Sequence, residues 1–231
     1  ASPPPLHHQH AKAALEMGLP VMCEKPMTTR AGHARELVQL AEEKGVPLLV
    51  PYGWHHKPFI QRAKKLMDDG AIGKIEFATC HMASPIRDLL SGVEVDVSEI
   101  SGQDSATLFG PTPATWADPE IAGGGYAHAQ ISHSSGLLFW LSGLRAERVF
   151  AAMSAPGSRV ELYDALTVRF AGGAIGTVSG AGNVPTDQTF QVDLRLFGSE
   201  GMLLLDCERA RMHLRRHDGQ HVVEEVDEDA G

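Results

Sequence analysis

Cysteine is scarce in this chain of 231 residues, and so are aromatic residues: three Cys, three Trp, three Tyr and eight Phe. Cys23, Cys80 and Cys207 are odd in number and far apart. That argues against a disulfide framework and predicts a protein of the reducing cytoplasm. No Cys-x-x-Cys pair and no His-Glu-x-x-His occurs, so the twelve histidines carry no metal signature and no metal site is expected. No run of eighteen apolar residues is present to make a membrane span, and no charged-then-apolar signal segment opens the sequence. A nucleophile elbow and a phosphate-cradling loop are missing too. The formal net charge is −9, part of it concentrated in Glu224, Glu225, Asp227, Glu228 and Asp229. Neither that tail nor the remainder offers nucleic acid an electrostatic surface.

What is present has the ordinary make-up of a globular protein, 43% hydrophobic and 21% charged. The periodicity predicts a helix over His7–Met17 stopping at Gly18, a buried strand over Leu19–Cys23, and a helix from a Thr28 or Thr29 cap to Lys44, stopped by Gly45. A second buried strand is expected over Val46–Tyr52 and a helix over Lys57–Asp69. This alternation predicts a parallel sheet covered on both faces. Beyond Gly73 the pattern changes. A strand over Lys74–Met82 precedes an aperiodic stretch, Ser84–Ala122, expected to be a long functional loop. A helix over Tyr126–Leu141 follows. Strands are then expected at about 147–155, 160–170, 174–182, 188–197, 201–206, 210–215 and 221–226, forming a large, mostly antiparallel sheet with helix on one face.

The segment Pro20–Thr28 is the most informative. Val21-Met22-Cys23 reads as a strand, and Glu24-Lys25-Pro26 sets a carboxylate and an amine at its C-terminal end, where open α/β sheets bind ligands. Pro26 stiffens the turn and biases Lys25 towards extended backbone. The Lys25–Pro26 bond is a candidate cis peptide. On the later helix, Tyr126, Gln130, His133 and Leu137 follow spacings of 4, 3 and 4 and should share one stripe. A histidine there can take a hydroxyl proton near neutral pH. Trp54 and His55 are candidates for a substrate pocket, since aromatic faces offer a flat apolar wall to a ligand.

Ser2-Pro3-Pro4-Pro5-Leu6-His7, the Glu24-Lys25-Pro26 turn, Gly70-Ala71-Ile72-Gly73-Lys74-Ile75, Gly123-Gly124-Gly125 with His133, and Phe197-Gly198-Ser199-Glu200-Gly201 occur in an order that resembles the Gfo/Idh/MocA oxidoreductases. The resemblance implies an NAD- or NADP-dependent enzyme acting on sugars, cyclitols and their derivatives. It implies that Lys25 lies beside the nicotinamide and the reacting hydroxyl, with His133 as general acid/base. Ser2, Pro3, Pro4, Glu24 and Lys25 would border the cofactor, and Trp54, His55 and Gln130 the substrate. Many relatives carry an aspartate where this chain has Ala129. Gln130-Ile131-Ser132-His133 fits a branch that reads Gln-x-Ser-His.

A dinucleotide-binding fold should open with a strand, a Gly-x-Gly-x-x-Gly turn and a helix, and this chain has no such turn. The expectation is therefore a fragment lacking upstream βαβ units, and truncated at its C-terminus as well. Residues 1–55 would be the C-terminal part of a Rossmann domain, and 56–231 an α+β substrate-binding and oligomerisation domain with an open sheet. The expected partners are a small-molecule substrate and further copies of the chain, with no nucleic acid and no membrane. The expected reaction is hydride transfer between a nicotinamide cofactor and a polyhydroxylated substrate. The alternatives are a sugar- or nucleotide-binding relative without turnover, and a lyase or hydrolase that uses NAD transiently.

Overall fold

A computed structural model describes residues 2–94 and 113–225. The middle of the expected long loop, 95–112, and the acidic tail beyond Glu225 lie outside the described residues. The fold combines a small parallel α/β sheet with a large, mostly antiparallel sheet. The chain forms two compact units, one from Ala1–Tyr52, Ile86–Ser132 and Ala155–Leu162, the other from Gly53–Pro85, His133–Ser154 and Tyr163–Gly231.

In the first unit, α1 (Pro4–Glu16), β1 (Val21–Met22), α2 (Ala31–Lys44) and β2 (Leu48–Leu49) alternate, with β1 and β2 paired in parallel, Val21 opposite Leu48. Pro4 opens α1 at a position whose N–H would have no helical partner. Gly45 closes α2 in the left-handed region, φ 64°, which its missing Cβ permits. Ala11 and Leu15 of α1 and Leu37 and Ala41 of α2 pack with Cys23, Val21 and Leu48.

Several expectations are corrected here. The strands are shorter than Leu19–Cys23 and Val46–Tyr52, and they are not buried runs: Met22 is 70% and Leu49 48% exposed. Alternate strand residues point to opposite faces, so the helix-covered side takes Val21 and Leu48 and leaves Met22 and Leu49 open. Among the described residues the helices cover one face of this sheet rather than both. The N-cap of α2 is Arg30, not a threonine. Thr28 Oγ1 instead donates to the Arg30 carbonyl at 2.8 Å. The aperiodic stretch also contains short helices at Arg87–Leu90, Pro113–Ala117 and Pro119–Ala122.

The second unit begins with a 3-10 turn, Gly53–His56, and α3 (Pro58–Asp68). It is built on β3 (Ile75–Ala83), β4 (Ala146–Ser154), β5 (Tyr163–Phe170), β6 (Ile175–Ala181), β7 (Gln191–Gly198), β8 (Gly201–Asp206), β9 (Arg211–Arg216) and β10 (Val222–Glu225). The strand order is β10-β9-β8-β7-β3-β6-β5-β4, antiparallel throughout except for β3 beside β6. Burial alternates along the inner strands. Val192, Leu194 and Leu196 of β7, Leu203 and Leu205 of β8, and Met212 and Leu214 of β9 are buried. They share the helix-covered side with Phe59, Ile60 and Ala63 of α3 and with Leu137, Leu138 and Leu141 of the helix Ser132–Ser142. The opposite side carries Phe77 and Phe197, 5.9 Å apart, and His81 bonded to Ser179 at 2.9 Å. Leu194, fully buried on β7 between β3 and β8, tests this core. Leu194→Ala is expected to cost about 2–5 kcal/mol, read as a lower denaturant midpoint.

No helix of the described residues is long and apolar enough to cross a membrane. All three cysteines are free and buried. Burial pushes the thiols of Cys80 and Cys207 up to about 12, so both are protonated, poor nucleophiles at neutral pH.

Candidate active site

The turn after β1 is tied back to the start of α1. The ring of His7, a buried residue of α1, places Nδ1 2.9 Å from the Pro26 carbonyl and Nε2 2.8 Å from the Ser2 carbonyl. His10 Nδ1 lies 3.1 Å from Ser2 Oγ. The Lys25–Pro26 peptide is cis, as expected. Between these segments lies a cavity of about 260 Å3 lined by Ser2, His7, His10, Ala11, Val21, Met22, Cys23 and Glu24. Whole small-molecule sites run to roughly 300–1,000 Å3, so this cavity is smaller than a complete site. Of the residues expected at the cofactor, Ser2 and Glu24 line it. Pro3 is the exposed N-cap of α1 and Pro4 its buried first residue.

Lys25 turns to other partners. Its Nζ donates to the Ala129 carbonyl at 3.0 Å and lies 5.7 Å from the centre of the Trp116 ring. Burial pushes its amine below the ordinary lysine range, and the Glu24 carboxylate opposes the shift. Tyr52 is also desolvated. Burial first, then Glu24, raises its phenol, while a hydrogen bond with Ser132 acts the other way.

Ala129 is presented by a tightly held turn. The Gly125 N–H donates to Glu161 Oε1 at 2.7 Å and the Tyr126 N–H to the Glu161 carbonyl at 2.9 Å. Only glycine fits at 125: a Cβ there would sit 2.2 Å from the Glu161 carbonyl oxygen. His128 Nε2 donates to the Thr28 carbonyl at 3.1 Å, and burial pushes its imidazole pKa down. The chain then runs through a π-helical turn, Ala127–Ile131, before the α-helix Ser132–Ser142. The π turn corrects the 4-3-4 stripe expected for Tyr126, Gln130, His133 and Leu137. Its i→i+5 bonding inserts an extra residue, so α-helical spacing does not hold across it. Tyr126 is fully buried, whereas Gln130 is half-buried.

In the second unit, His133 is half-buried with its ring 5.6 Å from that of Trp54, and Trp54 is 5.4 Å from Phe190. Two of the expected site residues therefore meet here, joined by a third aromatic. His55 lies edge-on to Trp140 at 4.8 Å, and its carbonyl accepts from Gln61 Nε2. Among the described residues no group of three or more His, Cys, Asp or Glu side chains is placed to hold a metal ion.

Sequence reasoning missed Trp116, Glu161, His128 and Phe190. Trp116 could have been found as one of only three tryptophans, standing in a stretch otherwise poor in apolar pattern. Glu161 left no signal, because its partners lie 36 residues away in the chain.

The described residues thus comprise a small parallel α/β unit and a unit built on a large, mostly antiparallel sheet. Residues 1–52 match the oxidoreductase family with an NAD-binding Rossmann fold, and residues 60–204 match the GFO/IDH/MocA C-terminal domain. The chain belongs to the GFO/IDH/MocA family. It is 34% identical over 89 residues to the D-xylose 1-dehydrogenase (NADP+) of Haloarcula marismortui, covering 38% of this chain and 25% of that protein. Levoglucosan dehydrogenase of Pseudarthrobacter phenanthrenivorans is 24% identical over 90% of this chain and 55% of its own length. The solved inositol dehydrogenase homolog complexed with NAD+ from Azotobacter vinelandii superposes with a TM-score of 0.76 at 24% identity, over 97% of this chain and 55% of that one. The chain thus spans about half the length of the last two relatives, and likeness at such identity bears on the fold.

Proposed function

We propose that the protein is an NAD- or NADP-dependent dehydrogenase that transfers a hydride between the nicotinamide and a sugar, cyclitol or related polyhydroxylated substrate. The observation that carries this reading is Lys25, a desolvated amine fixed by the Ala129 carbonyl at the end of the parallel sheet. Ser2, Pro3, Pro4, Glu24 and Lys25 hold the cofactor, which when bound supplies the hydride acceptor or donor. Lys25 donates a hydrogen bond to the reacting oxygen and stabilises the alkoxide character it gains when its proton leaves in oxidation or when hydride arrives at the carbonyl in reduction. His133 takes the hydroxyl proton in oxidation and returns it in reduction. Trp54 gives the apolar face of the ring a stacking surface, and His55 and Gln130 contact its hydroxyls.

In this reading residues 1–55 serve the nucleotide and 56–231 the substrate and self-association. The open side of the large sheet, with Phe77 and Phe197, pairs with another copy of the chain. The protein works in the cytoplasm. A second reading, ligand binding without turnover, is favoured by Ala129, whose side chain offers His133 no carboxylate. Reduced nicotinamide accumulating with a panel of sugars and cyclitols supports the dehydrogenase. Saturable nucleotide binding with no absorbance change across the panel rejects it. His133→Ala is expected to lower kcat by about 10²–10⁴-fold, with nucleotide affinity measured by calorimetry unchanged.

A further inference from the structure

We infer that Trp116 is a positioning residue for Lys25: with the Ala129 carbonyl, the face of its indole fixes the ammonium in the orientation that meets the reacting oxygen. The inference rests on the reading of Lys25 given above. The short helix Pro113–Ala117 brings the ring to 5.7 Å from Nζ, inside the range over which an aromatic face attracts a cation. Trp116 Nε1 is buried and has no hydrogen-bond partner among the described residues. A buried, unsatisfied donor is costly and rare, so the ring is not placed there by its N–H. The contact that remains is its face, turned to Lys25.

The chemistry explains why such a contact is needed. Taking an ammonium out of water favours the neutral amine, and burial is the largest influence on Lys25. The opposing charge is Glu24, whose carboxylate is exposed. The Ala129 carbonyl accepts one of the three N–H donors of a lysine ammonium. An indole face adds attraction that gains strength with desolvation. It does so without neutralising the ammonium, which keeps its charge for the substrate oxygen.

The test reads Lys25 directly, without a substrate. Lysines of the full chain are dimethylated with 13C-formaldehyde, the Lys25 signal is assigned with Lys25→Arg, and its titration is followed by NMR. Trp116→Leu is expected to lower the Lys25 midpoint by about half to one and a half pH units, and Trp116→Phe by less. Biosynthetic 5-fluorotryptophan, which weakens the ring's attraction while keeping its shape and fold, should shift it in the same direction. A ring that only filled space would give the opposite sign, because loss of apolar cover rehydrates Lys25 and raises its midpoint. An unchanged or raised midpoint in the fluorinated protein overturns the inference. If the midpoint falls while Lys25→Ala retains normal turnover, the catalytic reading of Lys25 fails and the Trp116 contact stands.

Discussion

Lys25→Ala is expected to lower kcat/KM by about 10²–10⁴-fold, the range of a positioned proton-transfer or charge-stabilising group, while leaving the unfolding midpoint near that of the parent. In the proposed role the loss should fall on kcat as well as KM, because an ammonium at the reacting oxygen would bind it most strongly when that oxygen carries charge. Lys25→Arg should rescue little. A guanidinium keeps the charge but presents a wider planar fork where the amine makes one contact to the Ala129 carbonyl. The pH profile gives a second reading of the same group. Burial lowers the Lys25 pKa, so the fraction of charged amine declines below the pH at which an ordinary lysine titrates. Turnover should fall on the alkaline side with a midpoint under the reference 10.5, measured from kcat/KM against pH. Stability moves the other way: between the lowered folded pKa and 10.5 the unfolded chain binds more protons, so folding is favoured as pH rises through that window.

Gly125→Ala should be strongly destabilising for so small an addition. The new Cβ would lie 2.2 Å from the Glu161 carbonyl oxygen and 2.7 Å from its amide nitrogen. Backbone on both sides must move, breaking the Gly125–Glu161 and Tyr126–Glu161 hydrogen bonds. Overpacking of this kind costs roughly 1–3 kcal/mol and each lost hydrogen bond about 1 kcal/mol more. A drop of about 3–5 kcal/mol in unfolding free energy is the expected result, measured by urea denaturation. Gly32→Ala is the contrast. That glycine lies within α2 with open space around its Cβ position, and the substitution should raise stability by up to about 1 kcal/mol through helix propensity. Equal effects of the two substitutions would refute the steric account of the triple-glycine turn.

Legibility in the sequence followed the range of the interactions. The strands after Ser142 are short and separated by turns, most of them containing glycine, so each is placed by the sequence to within a few residues. Lys25 was legible because the carboxylate–amine–proline turn is contiguous in the chain. The exposed face of β1 and β2 was not, because Val21-Met22-Cys23 and Leu48-Leu49 read as buried runs whichever side is covered. The π turn was hidden for a related reason: Ala127–Ile131 has helical composition, and the extra residue is set by how the turn is held at Glu161, Thr28 and Lys25. Contacts such as Lys25–Ala129, 104 residues apart, leave no pattern in a single sequence. Trp54, His133 and Phe190 converge by the same long-range route.

The placement of β3 makes it the keystone of the larger sheet. On one side β4, β5 and β6 form a ladder of sequence neighbours, and on the other β7 to β10 form a second. Only β3 is bonded to both, pairing Phe77 with Ile175 on one edge and with Phe197 on the other. Each ladder joins strands near in sequence, whereas their union needs β3, a segment from well upstream of both, to be placed between them. The pairings of β3 are therefore the long-range contacts of the sheet, the kind that raises contact order and slows folding.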